Sequence, residues 1–239
     1  MKDSIVAWIR HFMGEDTTAV LGISGGKDST VAAALCVEAL GSERVVGVLM
    51  PQGVQPDIDV SYGVCEFLGI RFLEIDIGET VQTLFDAVQI EMCEVATRNT
   101  PARIRMTALY AVAACANENG GGRVVNTCNL SESYVGWETK YGDAAGDFAP
   151  LGDLTVSEIK AVGYELGLPS AFIEKTPIDG LCGKTDEEAL GFTYAELDKY
   201  IREGSSGSQS VDERIAELHR LSEHKRAVMP MYKTGRAED

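Results

Sequence analysis

The sequence predicts an α/β protein with a doubly wound, mainly parallel sheet flanked by helices. Three observations predict it. Apolar runs of strand length alternate with longer runs of helical spacing, the pattern of parallel strands joined by crossover helices. A glycine pair, Gly25-Gly26, stands between the first apolar run and an Ala- and Val-rich run, where a strand would turn into a helix. The length, 239 residues, suits one large domain with a full core, so a single domain over 1–239 is expected.

The elements follow in order. Residues 18–23 read as a buried strand and 30–40 as the helix after it. Residues 44–50 read as a second strand. Residues 57–68 read as a helix, with Ile58, Val60, Val64, Phe67 and Leu68 supplying its apolar positions. Residues 70–77 read as a third strand, and 78–94 and 101–117 as two helices. Glycines 120–122 stop the second of these, and 123–127 make a fourth strand. Residues 133–153, rich in Gly, Asp and aromatics, show no period; a long loop in a compact domain is usually functional or disordered. Residues 155–168 read as a helix stopped by Pro169. Residues 176–184, with Pro177, Gly180 and Gly183, read as a mobile loop. Residues 194–203 read as a short helix, 204–210 (GSSGSQS) as a flexible hinge and 211–227 as a C-terminal helix.

The stretch Gly22-Ile23-Ser24-Gly25-Gly26-Lys27-Asp28-Ser29 lies at the first strand-to-helix junction. Glycines there let backbone approach a ligand closely, and amides at a helix start favour an anion. Ser24 and Ser29 add hydroxyl donors. Asp28 is the odd member. A carboxylate beside a phosphate is repulsive unless a cation lies between them, so the stretch implies a phosphate chain with Mg²⁺. A Walker A loop would have Ser or Thr after Lys27, and the dinucleotide fingerprint has different glycine spacing.

Net charge is −16, from 21 basic and 37 acidic residues. Such a surface repels nucleic acid, so no nucleic-acid partner is expected. Anionic substrates would have to be held by local cations against the global field. A charged leader with an apolar run is absent from the sequence, and so is an apolar stretch of membrane-spanning length, so a soluble, cytoplasmic protein is expected. The cysteines at 36, 65, 93, 115, 128 and 182 form no CxxC pair and suggest neither zinc nor disulfides.

The Ser-Gly-Gly-x-Asp-Ser core resembles the pyrophosphate loop of the N-type ATP pyrophosphatases, which cleave ATP between the α and β phosphates and adenylate a second substrate. Later segments narrow the resemblance: Pro101-Ala-Arg-Ile-Arg-Met, Thr127-Cys-Asn-Leu-Ser-Glu132, Thr139-Lys-Tyr-Gly-Asp143, Asp147, Pro150-Leu, Thr185-Asp-Glu-Glu and His224-Lys225. In this order, over about Ile5 to Lys225, the chain resembles the ammonia-dependent NAD synthetase family. The resemblance implies an adenine nucleotide α-hydrolase-like fold. It implies amidation of deamido-NAD with ammonia through an acyl adenylate, giving NAD, AMP and pyrophosphate, with ATP as co-substrate. It also implies a homodimer.

By the same resemblance, Asp28 and Glu132 are the Mg²⁺ carboxylates and catalytic residues. Gly22, Ile23, Ser24, Gly25, Gly26, Lys27, Asp28, Ser29 and Thr127 bind ATP. Arg103, Lys140, Asp147, His224 and Lys225 hold deamido-NAD. The residue types suit these roles: two carboxylates from two strand ends fit a hard cation, and Arg and Lys fit phosphate or carboxylate. Taken singly, each position has a plainer reading. Glu132 opens a helix, Thr127 is a helix N-cap, Lys140 is a loop lysine, His224-Lys225 is an exposed pair on a charged tail, and Arg105 points inward instead of Arg103. Val156 falls where many members carry a phosphate-binding lysine, and Ile178 where many carry Ser or Thr. Lys27, Lys160 and Lys184 are the candidate replacements. Asp143 or Asp147 is a candidate to take the proton from ammonium.

Other enzymes of the superfamily, a GMP synthetase-like amidotransferase or a tRNA-thiolating enzyme, would share the loop. A thiolating enzyme calls for basic surface and paired cysteines. A nucleotide-binding regulatory module would not require two metal carboxylates. The loop begins at Gly22, which leaves no upstream room for a glutaminase domain, so ammonia is the expected nitrogen source.

Overall fold

The computed structural model describes residues 1–116, 121–175 and 185–234. The expected mobile loop at 176–184 lies outside them, with Ile178, Cys182 and Lys184. Strand alternation decides the layers. In β1 (Thr18–Gly22) and β2 (Val45–Leu49), Ala19, Leu21, Val45 and Leu49 face one side, while Val20, Val46 and Val48 face the other. Both faces are covered, which is why these strands read as continuous apolar runs. The first side packs on α1 (Lys2–Met13) and α2 (Lys27–Leu40). The second packs on Met106, Leu109 and Ala113 of α5 (Glu94–Ala114), joined by Val124 of β4 (Gly122–Val124).

Among the described residues the sheet has four parallel strands in the order β3-β2-β1-β4, with β3 at Arg71–Glu74. Ala19 pairs with Val45, Thr18 with Gly122 and Val46 with Arg71. The chain steps outward from β1 to β3 through α2 and α3 (Ile58–Leu68), then returns through α4 (Gly78–Val88) and α5 to place β4 on the other side of β1. The order therefore reverses between β1 and β4. Ligands of such sheets bind in the crevice at the strand carboxyl ends beside that reversal.

The remaining helices build a satellite layer. α6 (Leu130–Val135), α9 (Asp186–Leu190), α10 (Tyr194–Glu203) and α11 (Gln209–Leu221) bury Val135, Leu190, Phe192, Leu197 and Ile215 together. α7 (Val156–Glu165) and α8 (Ser170–Ile173) link this layer to α2, and α12 (Glu223–Arg226) is the last helix among the described residues.

Several expected bounds shift for physical reasons. α1 was not foreseen; it buries Val6, Ile9 and Met13 against the sheet layer. α2 starts at Lys27, because Gly26 is the last extended residue of the loop. The helix expected to start at Pro101 instead runs from Glu94 with Pro101 inside it and buried. The helix expected over 78–94 correspondingly stops at Val88, where Gln89 takes a left-handed conformation. The third strand is limited to 71–74 and the fourth to 122–124. After Val124 only a bridge from Val125 to Phe148 continues the pairing.

The expected hinge at 204–210 is a hydrogen-bonded turn. Gly204 closes α10 at φ 84°. The Asp212 carboxylate then accepts from Ser205 Oγ, Ser206 N and Ser206 Oγ at 2.7, 2.7 and 2.5 Å. The composition read as flexible because Ser and Gly gave no sign of the acceptor waiting in the next helix.

Candidate active site

The carboxyl end of β1 opens into the loop whose residues the sequence singled out. Ile23 stays in the sheet register, its N–H donating to Val48 O at 3.0 Å. Gly25 takes φ +73°, and a Cβ there would lie 3.2 Å from the Ser61 backbone nitrogen, so the turn requires glycine. The hydroxyls of Ser24 and Ser29 lie 3.1 Å apart, Ser24 Oγ accepts from Gly26 N at 3.2 Å, and Ser29 Oγ donates to Gly26 O at 3.1 Å. The loop is thereby fixed before any ligand is considered. α2 starts at Lys27 with no side-chain cap, leaving its first amides for an anion.

Asp28 and Glu132 come together through Asn129. Asn129 is fully buried, donates from Nδ2 to Asp28 Oδ1 at 3.2 Å, and caps α6 by accepting from Glu132 N at 2.9 Å. Lys27 Nζ lies 2.8 Å from the other Asp28 oxygen and over the Tyr194 ring, 5.7 Å from its centroid. Tyr194 in turn donates to Asp186 Oδ2 at 3.2 Å. Charge accumulates here. Burial, then the Asp28 carboxylate, pushes Glu132 up to about 8, against the pull of Lys27. Burial would lower the Lys27 ammonium, but the Asp28, Glu132 and Asp186 carboxylates outweigh it and hold the pKa above 10.5. The negative groups outnumber the one ammonium, and their oxygens are hard donors. Asp28 and Glu132 are donors of the kind magnesium takes; among the described residues no group of three or more His, Cys, Asp or Glu could hold a metal, so protein side chains would supply only part of its ligands.

Thr127 lines the neighbouring cleft and does not cap α6; that position belongs to Asn129. The cleft, about 470 Å³, runs between the ends of β1, β2 and β4 and the face of α5. Gly22, Ile23, Ser24 and Thr127 line one part of it, and Thr139, Asp143 and Arg105 another. Asp143 is held in place by Thr139 N, which donates to its Oδ1 at 2.9 Å, and by Asn126 Nδ2, which donates to its carbonyl at 2.8 Å.

Four of the five residues expected to hold the second substrate gather at one surface. Arg103 Nε donates to Lys140 O at 3.2 Å, and Lys140 Nζ donates to the His224 carbonyl. Lys225 Nζ donates to Gly136 O at 2.7 Å and Glu138 O at 2.5 Å. Partial burial lowers the Lys225 pKa; Arg103 and Arg226 lower it further, while Glu138 and Asp143 oppose them. Tyr141, between Lys140 and Gly142, takes φ 65°, a conformation costly for a bulky residue and held here by the surrounding loop. Asp147 stands apart from the four. Its Oδ2 accepts from Val124 N at 2.7 Å and its Oδ1 from Tyr110 OH at 3.3 Å, so the carboxylate fastens the 143–148 segment to β4.

The two departures resolve unequally. Val156 is buried at the start of α7, with its N–H on Ser131 Oγ at 3.2 Å. Lys160 is paired with Glu174 at 2.6 Å, away from the loop. Lys27 is the candidate replacement that sits at the carboxylates. Arg105, the alternative to Arg103, is the arginine that lines the cleft. Asn129 and Tyr194 carry no expectation from the sequence; Asn129 lies inside the Thr127–Glu132 segment, and its spacing three residues before Glu132 is the signature of a cap.

The family model for NAD synthase matches residues 2–234. An NH(3)-dependent NAD(+) synthetase of Archaeoglobus fulgidus is 41% identical over 222 residues, covering 90% of this chain and 88% of that one. An NMN synthetase from Francisella tularensis shares the fold at a TM-score of 0.86 and 32% identity, covering 97% of this chain and 96% of that one. An NH3-dependent NAD synthetase from Campylobacter jejuni does so at 0.81 and 26%, covering 97% of each. A loop fixed at the end of β1, an asparagine that bonds the Asp28 carboxylate and the Glu132 backbone, and a match over nearly the whole chain agree: the chain belongs to the NAD synthase family.

Proposed function

We propose that this protein is a ligase that amidates deamido-NAD with ammonia at the expense of ATP, yielding NAD, AMP and pyrophosphate. One observation carries the reading: Asn129 joins Asp28 and Glu132 across the reversal of strand order, beside an uncapped helix N-terminus. These features support a site for a metal-bound polyphosphate, and membership of the family supplies the acceptor.

The chemistry follows from charge. A carboxylate resists ammonia because oxide would have to leave. In the first step a carboxylate oxygen bonds to the α-phosphorus, the bond to the bridging oxygen breaks, and the electron pair leaves on pyrophosphate. In the second, ammonia bonds to the acyl carbon, the carbon–oxygen bond breaks, AMP leaves, and one proton is released. The amides at the start of α2 and the hydroxyls of Ser24 and Ser29 receive the phosphate oxygens. Asp28 and Glu132 would hold Mg²⁺, which when bound screens the negative charge of the phosphates. Lys27 balances Asp28. Arg103, Lys140, His224 and Lys225 form the electropositive surface for the dinucleotide, and Thr127 contacts ATP. Asp143, on the cleft wall, is the group we assign to take the proton from ammonium.

No helix among the described residues is long and apolar enough to cross a membrane. We propose a cytoplasmic location on the family resemblance. We also propose a homodimer. The resemblance implies one, and the outer face of β3 and α5 offers a second copy an apolar surface with Phe72 and Leu73 exposed. A mass measurement in solution checks it.

A second reading has a specific support, the NMN synthetase among the solved structures. Nicotinate mononucleotide has the same reacting carboxylate and lacks the adenylate half. The experiment that tests both is pyrophosphate release from ATP and Mg²⁺ with ammonium, in the presence of deamido-NAD, nicotinate mononucleotide or neither. The proposal expects release that depends on deamido-NAD. Preference for the mononucleotide selects the second reading, and release with neither removes both.

A further inference from the structure

Arg105 faces the cleft from α5, while Arg103, two residues earlier, is exposed and bonded to the Lys140 carbonyl. Residues two apart on a helix lie on opposite sides, so the two arginines serve different places. Arg105 Nε donates to Met50 O at the end of β2, at 2.9 Å, which orients the guanidinium plane. Among the described residues its terminal amino groups have no hydrogen-bond partner, so the fork is presented to the cleft. Arg105 is also the only cation among the described residues that line that cleft. Across it stand Ser24 of the loop and Thr127; beside it stands Asp143. Burial lowers the Arg105 pKa, with Asp143 opposing, yet an arginine so placed stays charged.

The adenylation step needs a cation here. A carboxylate must approach the α-phosphate, and both are anions. The α2 amides and Lys27 lie on the loop side, suited to the departing pyrophosphate. Lys225 and Lys140 spend their ammonium groups on carbonyls at the outer surface. A planar fork with free donors matches two oxygens at once, one from each reactant. We propose that Arg105 is a catalytic residue, whose guanidinium bridges the substrate carboxylate and an α-phosphate oxygen while the acyl adenylate forms. The carboxylate oxygen–phosphorus bond forms as the bond to the pyrophosphate oxygen breaks, and no proton moves. Arg105 carries no covalent step; it holds two like charges together. The assignment rests on the amidation reading above.

The test is single-turnover pyrophosphate release with ATP, Mg²⁺ and deamido-NAD in wild type, Arg105→Lys and Arg105→Ala, with ATP affinity measured separately by calorimetry. Arg105→Ala is expected to lose at least about a hundredfold in rate, the scale of a lost charge-stabilising donor, while binding ATP within about threefold of wild type. Arg105→Lys, which keeps the charge and loses the fork, is expected to lose about tenfold. Guanidinium chloride at non-denaturing concentration should restore part of the Arg105→Ala rate and leave wild type unchanged, a readout that a packing role would not move. Near-normal release by Arg105→Ala overturns the proposal, and so does a loss that tracks weakened ATP binding without rescue. If Arg105→Ala does not fold, an unchanged rate in Arg105→Lys overturns it. If wild type releases no pyrophosphate with deamido-NAD, the amidation reading falls instead.

Discussion

Asn129 shows how much one residue carries in this site. It has two functional atoms and uses both, one to orient Asp28 of α2 and one to start the helix that bears Glu132. The carboxylates themselves were legible in the sequence, because each lies in the first turn of a helix that follows a strand, with a glycine- or cap-rich neighbour. The side chain joining them was not, since it bridges residues 101 apart and no local pattern encodes such a pair. The choice between Arg103 and Arg105 was open for a related reason. It depends on the rotational phase of α5, and Pro101 reads more naturally as a helix start than as an interior residue. Asp28→Asn and Glu132→Gln each remove one charge with little change of shape. Each is expected to lower turnover at least about a hundredfold. The thermal midpoint of Glu132→Gln should stay near wild type, because it relieves crowded carboxylates, whereas Asp28→Asn takes the partner from the buried Lys27 ammonium and should lower the midpoint. Near-normal turnover at limiting Mg²⁺ would remove that residue from the metal site.

At the scale of elements, the fold keeps the satellite helices in place with charged ties as well as apolar contacts. The bridge between α7 and α10 is one. Arg202 donates to Glu158 Oε1 and Oε2 at 3.0 and 2.6 Å, and Glu158 also completes the Thr155 capping box. The Arg202 hydrogen bond, with help from the Thr155 amide, holds Glu158 below its ordinary 4.5. A carboxylate depressed by folding adds stability that is fully present above its unfolded pKa and fades as pH falls through the folded one. The gap in urea midpoint between wild type and Glu158→Gln should therefore be constant above about pH 5.5 and shrink in more acid solution. A gap independent of pH would assign the loss to packing alone.

The C-terminal helices show a second tie. Arg226 donates to Ser133 O at 2.8 Å and Tyr134 O at 3.2 Å, and Lys225 to Gly136 O and Glu138 O, so α12 is docked on the end of α6. The sequence predicts a C-terminal helix here without its docking site; the partners come from a segment about ninety positions away and leave no local pattern. Since Ile215 belongs to the satellite core, cutting the chain before α11 would damage folding and say little about binding. The sharper variant is Lys225→Ala. It should raise KM for the dinucleotide about tenfold, one charged contact's worth, and leave KM for ATP unchanged. Equal effects on both substrates would place Lys225 outside the dinucleotide surface.

Over the whole molecule, a net charge of −16 stands against a local cationic surface made from Arg103, Lys140 and Lys225. The two act over different ranges. Contacts at hydrogen-bond distance are barely screened, whereas charges spread over the surface act across tens of ångströms. Screening extends to about 30 Å at 0.01 M salt and about 10 Å at 0.1 M, so that interval removes the distant repulsion first. At long range an approaching dinucleotide meets the net charge, and only near contact does it meet the cations. Raising salt from about 10 to about 100 mM at fixed free Mg²⁺ is therefore expected to raise kcat/KM for deamido-NAD. Ammonia is neutral and meets no such field, so at constant pH its kcat/KM should stay level over the same range. This control separates steering from a general salt effect on the enzyme. A fall in kcat/KM for deamido-NAD would mean that the local cations dominate the approach as well as the contact, and that the acidic surface lies turned away from the path of the substrate.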